Sequence, residues 1–282
     1  MYQVKEGGRF GFAFYTPELT QKAAERVRLE NDLHKALDLD QFQLHYQPQV
    51  ELSSGRITGV EALVRWQHPD RGLLYPSAFI AIAEESGLMP RIGRWILHAA
   101  CQQARQWLEE GIDFGRIGVN IAASQLRRGD LVALTRDTLA STALPADKLE
   151  LEVTEGFIMQ QAAEAIPRLD ALRQLGVAIA IDDFGTGYSS LSYLKRLPVT
   201  RLKIDQSFVR DLKAPQDSCA IIQAIVGIAR NFNLQVMVEG VETAHQVTVL
   251  RQLGCHEMQG FFFCQPMPAG ELTEFLEGQL AA

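Results

Sequence analysis

The hydrophobic pattern of the chain changes at Gln41. From there on, short apolar runs rich in β-branched residues alternate with longer stretches whose apolar residues recur every three or four positions. This alternation predicts βα units around a mostly parallel sheet. The strand candidates, eight in number, are FQLHYQPQVEL, ITGVEALVRWQ, IGVNIAA, LELEVTE, VAIAIDDF, RLKID, LQVMVEG and EMQGFFF. Eight such strands favour an α/β fold of the TIM-like (β/α)8 barrel type.

One strand of this barrel is expected to run against the others. Only residues 53–56, SSGR, join the first two candidates. A connection this short permits an antiparallel hairpin but has no room for a crossover helix. We therefore predict a barrel with one antiparallel strand.

The region before Gln41 has a different pattern. Residues 17–40 are rich in charge, and Leu29, Leu33 and Leu37 recur at helical spacing. This predicts a linker helix that leads into a main domain at 41–282.

Composition and charge narrow the possible partners. The 282 residues are 47% hydrophobic, which is enough for one large core. The formal charge of −7 disfavours a nucleic-acid polymer as partner, because an acidic surface repels a phosphate backbone. A phosphate-bearing substrate would therefore need a metal ion beside it.

The cysteines and the apolar runs bear on cellular location. Cys101, Cys219, Cys255 and Cys264 show no CxxC spacing, which predicts buried free thiols in a reducing compartment. No apolar run reaches the roughly 18 residues of a membrane helix, and no charged-then-apolar leader opens the chain. We expect a cytoplasmic, soluble domain, which segments outside this chain could anchor to a membrane in the full-length protein.

Polar residues stand at the late positions of the predicted strands, where the apolar pattern does not require them. They are Glu61, Asn120, Glu152, Glu155, Asp182, Asp183, Lys203, Glu239 and Gln259. In a barrel the carboxyl ends of the strands converge on one pocket, so these side chains are expected to meet there. Buried carboxylates need compensating cations.

This residue set favours oxygen-coordinated ions. Carboxylates and one Asn suit Mg²⁺ or Mn²⁺, whereas zinc would favour His and Cys. Ca²⁺ is expected to inhibit, because its longer and looser coordination fits poorly where Mg²⁺ works. Two alternatives stay open at this point: Asp182 and Asp183 could merely cap the next helix, and any single Glu could be a solvated strand-end charge.

Residues 41 to 275 resemble the EAL domain, the family of cyclic di-GMP phosphodiesterases. The name-giving triplet is Glu61, Ala62 and Leu63. The other motifs stand in family order: YQPQV, VEALVRWQHP, VNIAASQ, LELEVTE, DDFGTGYSSL, LKIDQSFV, VEGVET and QGFFFCQP. Residues 1–16 resemble the closing segment of a GGDEF domain, without its cyclase signature loop.

The resemblance implies a role for each matching residue. Glu61, Asn120, Glu152 and Asp182 would hold one of two divalent cations, Asp182 and Asp183 would face the second, and Glu239 would belong to the same cluster. Lys203 would contact the catalytic water, with Glu61 and Glu239 also taking part in catalysis. Arg65, Gln47 and Gln259 would bind substrate. Glu155 would steady the loop after the paired aspartates.

The implied activity is metal-dependent hydrolysis of cyclic di-GMP to linear pGpG in bacterial signalling. The implied partners are upstream GGDEF and sensory domains and a second copy of the chain, bound through the helix after DDFGTGYSS, where Tyr188, Leu191, Tyr193 and Leu194 supply apolar surface. At Ala122, Ser124 and Val238 the sequence departs from the residues that the family often has, which leaves the substrate affinity open. Two alternatives remain: a receptor that binds cyclic di-GMP without cleaving it, and a barrel enzyme for another phosphodiester.

Overall fold

The computed structural model describes residues 17–128, 130–187, 191–210, 212 and 215–280. The GGDEF-like segment at 1–16 and Tyr188 of the predicted dimer segment lie outside the described residues. Two compact units can be distinguished by their internal contacts. One contains residues 17–42 and 66–88, and the other contains residues 43–65 together with the described residues from 89 to 280.

The strands form one sheet that closes on itself. Within the described residues they are β1 (Phe42–Glu51), β2 (Ile57–His68), β3 (Gly72–Leu74), β4 (Arg116–Ile121), β5 (Leu149–Thr154), β6 (Ala178–Phe184), β7 (Arg201–Ile204), β8 (Gln235–Val238), β9 (Glu257–Met258) and β10 (Met267–Pro268). Their order is β10-β1-β9-β8-β7-β6-β5-β4-β2-β3, and a further β1–β2 pairing closes the ring. The predicted barrel is confirmed, with β3 and β10 as additions.

Among the eight barrel strands of the described residues, β1 is the reversed one. It pairs antiparallel with β9, whereas β2, β4, β5, β6, β7, β8 and β9 pair in parallel in that order. At the hairpin between β1 and β2, Gly55 adopts φ +72° and its N–H donates to the Glu51 carbonyl. Glycine reaches this left-handed conformation without the Cβ clash that other residues meet.

Helices connect the strands. They are α1 (Pro17–Ala36), α2 (Pro76–Glu85), α3 (Met89–Glu109), α4 (Ala123–Arg128), α5 (Leu131–Thr142), α6 (Glu155–Gln160), α7 (Ala162–Gln174), α8 (Leu191–Leu194), α9 (Gln206–Arg210), α10 (Pro215–Asn231), α11 (Ala244–Gln252) and α12 (Ala269–Leu280), with a 3-10 turn at Ala146–Lys148. The sequence pattern indicates the linker helix α1, and its helical stretches around 77–83, 92–109, 130–141, 164–175, 191–197, 219–232 and 246–253 correspond to α2, α3, α5, α7, α8, α10 and α11. It did not indicate α4, α6, α9 or α12.

The strand predicted at EMQGFFF was wrong over most of its length. Only Glu257–Met258 is a strand, and Gly260 to Phe263 form a turn in which Phe263 N–H donates to the Gly260 carbonyl. Phe261 and Phe262 are exposed at 59% and 43%, so these aromatic residues do not belong to the core.

The core of the larger unit surrounds the central strands. β5 and β6 are buried along most of their length, as expected for parallel strands that are covered on both faces. α3 contributes an apolar face that includes Ile92, Leu97 and Trp107, all fully buried. This packing fixes the strand ends that carry the polar residues.

The smaller unit has its own aromatic core. Trp66 packs edge-on against Phe79 at a centroid distance of 5.7 Å, and Phe42 lies 6.0 Å from Trp66. The indole Nε1 of Trp66 donates to Gln41 Oε1 at 3.0 Å, so its polar atom is also satisfied. None of the described helices is long and apolar enough to cross a membrane.

Candidate active site

Strand register brings the predicted acidic residues together. Asn120 on β4 is paired with Glu152 on β5, and Thr154 at the end of β5 is paired with Asp182 on β6. Lys203 lies on β7, one residue before the strand ends. Because parallel strands end at the same rim, polar residues far apart in sequence converge there.

The Lys203 ammonium is the centre of the cluster. Its Nζ lies 3.5 Å from Glu61 Oε2, 3.5 Å from Asp182 Oδ1 and 2.5 Å from Glu239 Oε1. It also forms an ion pair with Glu152 Oε2. Lys203 is completely buried, and four carboxylates share its positive charge.

The pKa values in the cluster diverge because the charges do not balance. Burial raises the pKa of Glu152 well above its usual range, although Lys203 opposes this. Burial also raises the pKa of Glu239 to about 8. Burial would raise the pKa of Glu61 as well, but Lys203 and hydrogen bonds from Gln259 and Asn120 lower it below its usual value. Burial opposes charge on Lys203 too, yet the surrounding carboxylates raise its pKa.

Two amides hold the Glu61 carboxylate in place. Asn120 Nδ2 donates to Glu61 Oε1 at 2.6 Å, and Gln259 Nε2 donates to Glu61 Oε2 at 2.6 Å. Gln259 Nε2 also reaches Gln47 Oε1 at 2.9 Å, and Gln47 donates to the Cys264 carbonyl. The predicted site residues Gln47, Asn120 and Gln259 therefore surround Glu61.

The paired aspartates lie where β6 leaves the barrel. The register of β6 against β7 shifts between Ile181 and Phe184, and Asp183 adopts φ +54°. Asp tolerates this left-handed conformation better than most non-glycine residues. Burial, followed by repulsion from Asp182 and Asp205, raises the pKa of Asp183 to about 6.

Glu155 contacts the loop that follows these aspartates. It is the first residue of α6 and not the last of β5, and its side chain is fully buried. Glu155 Oε2 accepts a hydrogen bond from Gly185 N–H at 2.8 Å. The alternative of a solvated strand-end acid does not apply here.

A cavity of about 250 Å³ opens beside the cluster. Its lining includes Glu61, Leu63, Glu239, Gln47 and Gln259, and also residues that the sequence did not single out: Gln206, Arg210, Glu242 and Phe261. Arg210 Nη2 donates to Gln206 Oε1 at 2.7 Å, so these two side chains of α9 hold each other in place. Arg65 is buried beyond Leu63 on β2, donates to the Val64 carbonyl, and does not line this cavity.

The residues of the cluster fit a divalent cation in chemistry. All candidate ligands offer hard oxygen atoms. Among the described residues, Glu152 Oε1 and Asp182 Oδ1 are buried and take part in no hydrogen bond. The arrangement of these side chains differs from that of a metal site. Among the described residues, no three His, Cys, Asp or Glu side chains are placed as they would be around an ion. The carboxylates instead surround Lys203 Nζ.

The fold and the site define a class of protein: an α/β barrel with one reversed strand and an acidic, oxygen-rich cluster at the carboxyl ends of its strands. The EAL domain family model matches residues 30–266, so the chain belongs to the EAL family. Phosphodiesterases of this family generally depend on divalent metal ions.

The chain is also similar to individual proteins that are named as cyclic di-GMP phosphodiesterases. The chain is 45% identical over 272 residues to the bifunctional diguanylate cyclase/cyclic di-GMP phosphodiesterase MucR of Pseudomonas aeruginosa, covering 96% of this chain and 40% of MucR. It is 42% identical to the cyclic di-GMP phosphodiesterase PdeR of Escherichia coli, covering 95% of this chain and 40% of PdeR. The solved PaMucR phosphodiesterase in complex with c-di-GMP superposes with a TM-score of 0.85 at 46% identity, covering 87% of this chain and 99% of that one.

Proposed function

We propose that this chain hydrolyses cyclic di-GMP to linear pGpG with the help of two divalent cations, Mg²⁺ or Mn²⁺. The observation that carries the proposal is the group of four carboxylates around the buried Lys203, open on one side to a cavity lined by Glu61 and Glu239. The membership of the chain in the EAL family supports it.

The cations would be held by Glu61, Asn120, Glu152, Asp182, Asp183 and Glu239. When bound, they supply an activated water and neutralise charge that develops on the phosphodiester oxygens. Four carboxylates face one ammonium in this cluster, so without added positive charge the site would repel a phosphodiester.

The protein side chains would orient the reactants. Lys203 presents N–H donors from a fixed position, and we assign it to hold the attacking water by hydrogen bonding. Gln47 and Gln259 border the cavity and would contact the nucleotide. Arg65 would meet a phosphate at the rim, because it lies two residues beyond Leu63 on the same face of β2.

We also propose upstream domains in the full-length protein, a homodimer and a cytoplasmic location. The chain spans 40% of the length of MucR and of PdeR, which leaves room for the upstream GGDEF and sensory domains expected in the full-length protein. A homodimer through α8 is supported by the exposure of Tyr193, which is 39%. Leu194 in the same helix is buried and packs within its own chain, so the contact would rest on Tyr193 and its neighbours. We assign the domain to the cytoplasm.

A chromatographic assay tests the proposal. The purified chain is incubated with cyclic di-GMP and Mg²⁺ or Mn²⁺, and the nucleotides are separated. We expect pGpG from the wild type, none from Glu61→Ala, and wild-type turnover from Glu84→Ala, which changes an exposed acid on α2. Ca²⁺ in place of Mg²⁺ should suppress the product. Nucleotide that binds but stays intact would mark the chain as a receptor instead.

A further inference from the structure

A chain of buried hydrogen bonds continues below the cluster into the barrel. Arg201 Nη1 donates to Gln49 Oε1 at 3.0 Å, and Gln49 Nε2 donates to Gln259 Oε1 at 3.1 Å. Gln259 Nε2 then donates to Glu61 Oε2 at 2.6 Å. Arg201, Gln49, Gln259 and Glu61 are 2%, 1%, 4% and 5% exposed, so water does not compete for these bonds.

Arg201, at one end of this series of hydrogen bonds, determines the direction of every bond in it. An arginine guanidinium can donate hydrogen bonds but cannot accept them. Gln49 must therefore turn its carbonyl oxygen to Arg201 and its NH₂ group to Gln259. Gln259 must in turn accept with its oxygen, which leaves its NH₂ group for Glu61. A carboxylate accepts only, so both ends of the chain demand the same direction.

Arg201 is itself fixed by acidic partners. Its Nη1 donates to Glu150 Oε1 at 2.9 Å, and its Nη2 lies 3.0 Å from Glu257 Oε2. Arg201 borders a second cavity of about 400 Å³, whose lining includes Arg56 and Lys148 just before β2 and β5. The guanidinium thus has a fixed position, on the opposite side of Gln49 from Glu61.

The barrel makes space for the Gln49 amide. A Cβ atom at Gly59 on β2 would overlap Gln49 Oε1, so any other residue there would displace the amide. Glycine within a strand gives up side-chain packing, and at Gly59 its lack of a side chain lets the Gln49 amide lie close to the backbone of β2.

We infer that Gln49 and Arg201 are positioning residues that hold the Gln259 amide in the orientation that donates to Glu61. The expected effect on rate rests on the proposed function, because that function requires Glu61 in a defined orientation. It concerns residues that do not line the cavity beside the cluster.

Two substitutions at Gln49 test the inference. Gln49→Met keeps the approximate volume and removes both hydrogen bonds, and should lower kcat about 5- to 10-fold. Gln49→Glu, ionised beside Arg201, would turn an oxygen toward Gln259 Oε1 and favour the reversed amide, with a loss of about 10- to 100-fold. Gln43→Met is the matched control, since Gln43 lies exposed on the same strand, and should keep the wild-type rate.

A double-mutant cycle separates positioning from general stability. In a Gln259→Ala background, Gln49→Met should cost no further activity, because Gln49 acts through Gln259. Full additivity of the two losses would overturn the inference. So would wild-type kcat in both Gln49 variants.

A second readout does not depend on activity. In protein labelled with ¹⁵N-glutamine, the side-chain NH₂ signal of Gln259 is identified by its loss in Gln259→Ala. It should shift in both Gln49 variants and stay in place in Gln43→Met. An unchanged Gln259 signal would contradict the hydrogen-bond chain even if the wild type proved unable to hydrolyse cyclic di-GMP, a result that would count against the proposed function alone.

Discussion

Removing the Lys203 charge should destabilise the protein strongly in the absence of divalent metal. Among the described residues, Lys203 Nζ is the cation that Glu61, Glu152, Asp182 and Glu239 share. Lys203→Met keeps most of the aliphatic stem and removes the cation that these carboxylates share, including the partner of the fully buried Glu152. Removing one member of a buried ion pair typically costs about 3–5 kcal/mol. For a domain of this size, each kcal/mol lowers the melting temperature by roughly 2–4 °C, so we expect a loss of roughly 6–20 °C.

The assay is thermal unfolding in EDTA, followed by titration with Mn²⁺. The variant should melt well below the wild type in EDTA, and Mn²⁺ should raise its melting temperature by more than it raises that of the wild type. The reason is that a divalent cation can supply the positive charge that was removed. Lys195→Met, at an exposed position, is the matched control and should melt like the wild type.

Turnover gives a second measure of the same variant. Lys203→Met and Lys203→Ala should lower kcat far more than they weaken nucleotide binding, because the proposed contact is with the attacking water. A melting temperature in EDTA equal to that of the wild type would refute the charge argument. Weakened binding at unchanged kcat would reassign Lys203 to substrate binding.

Three further predictions follow from other residues. Glu155→Ala leaves Gly185 N–H without its buried acceptor and should raise the Mg²⁺ concentration for half-maximal rate about tenfold, and an unchanged Mg²⁺ dependence would exclude a role in holding the loop. Burial raises the pKa of the Cys101 and Cys255 thiols to about 12, so both stay neutral at pH 8 and should resist iodoacetamide until guanidinium unfolds the chain. Alkylation of both in the native protein would contradict their burial. Light scattering at tens of micromolar should find a dimer that Tyr193→Glu dissociates, and a purely monomeric wild type would refute the dimer.

The barrel was predictable because its strands carry strong local signals. The apolar runs of β5 and β6 and the SSGR connection indicated both the parallel sheet and the reversed β1. The turn at Gly260 to Phe263 was not predictable from hydrophobicity, since Phe261 borders the cavity and is not part of the core. Helices α4, α6 and α9 have 6, 6 and 5 residues, too short for a helical period to appear.

The upper layer of the site was predictable, and the layer beneath it was not. The acids at the strand ends stood out because apolar strands ended on them. Gln49, Glu150 and Arg201 lie two positions before or after Gln47, Glu152 and Lys203, and therefore face the same side of their strands. The signal was present in QPQ, ELE and RLK. Alternating polar residues ordinarily indicate a solvent-facing side of a strand, and only the closed barrel shows that this side is interior.

We expect that water, positioned by this cluster, opens the cyclic dinucleotide. A single-turnover reaction in H₂¹⁸O, with excess enzyme and Mg²⁺ and mass spectrometry of the products, tests it most directly. The product should be pGpG with one ¹⁸O atom in its terminal phosphate, formed by the wild type and by Glu84→Ala but not by Glu61→Ala. Cyclic di-GMP recovered intact from the wild type, or pGpG without the label, would contradict it.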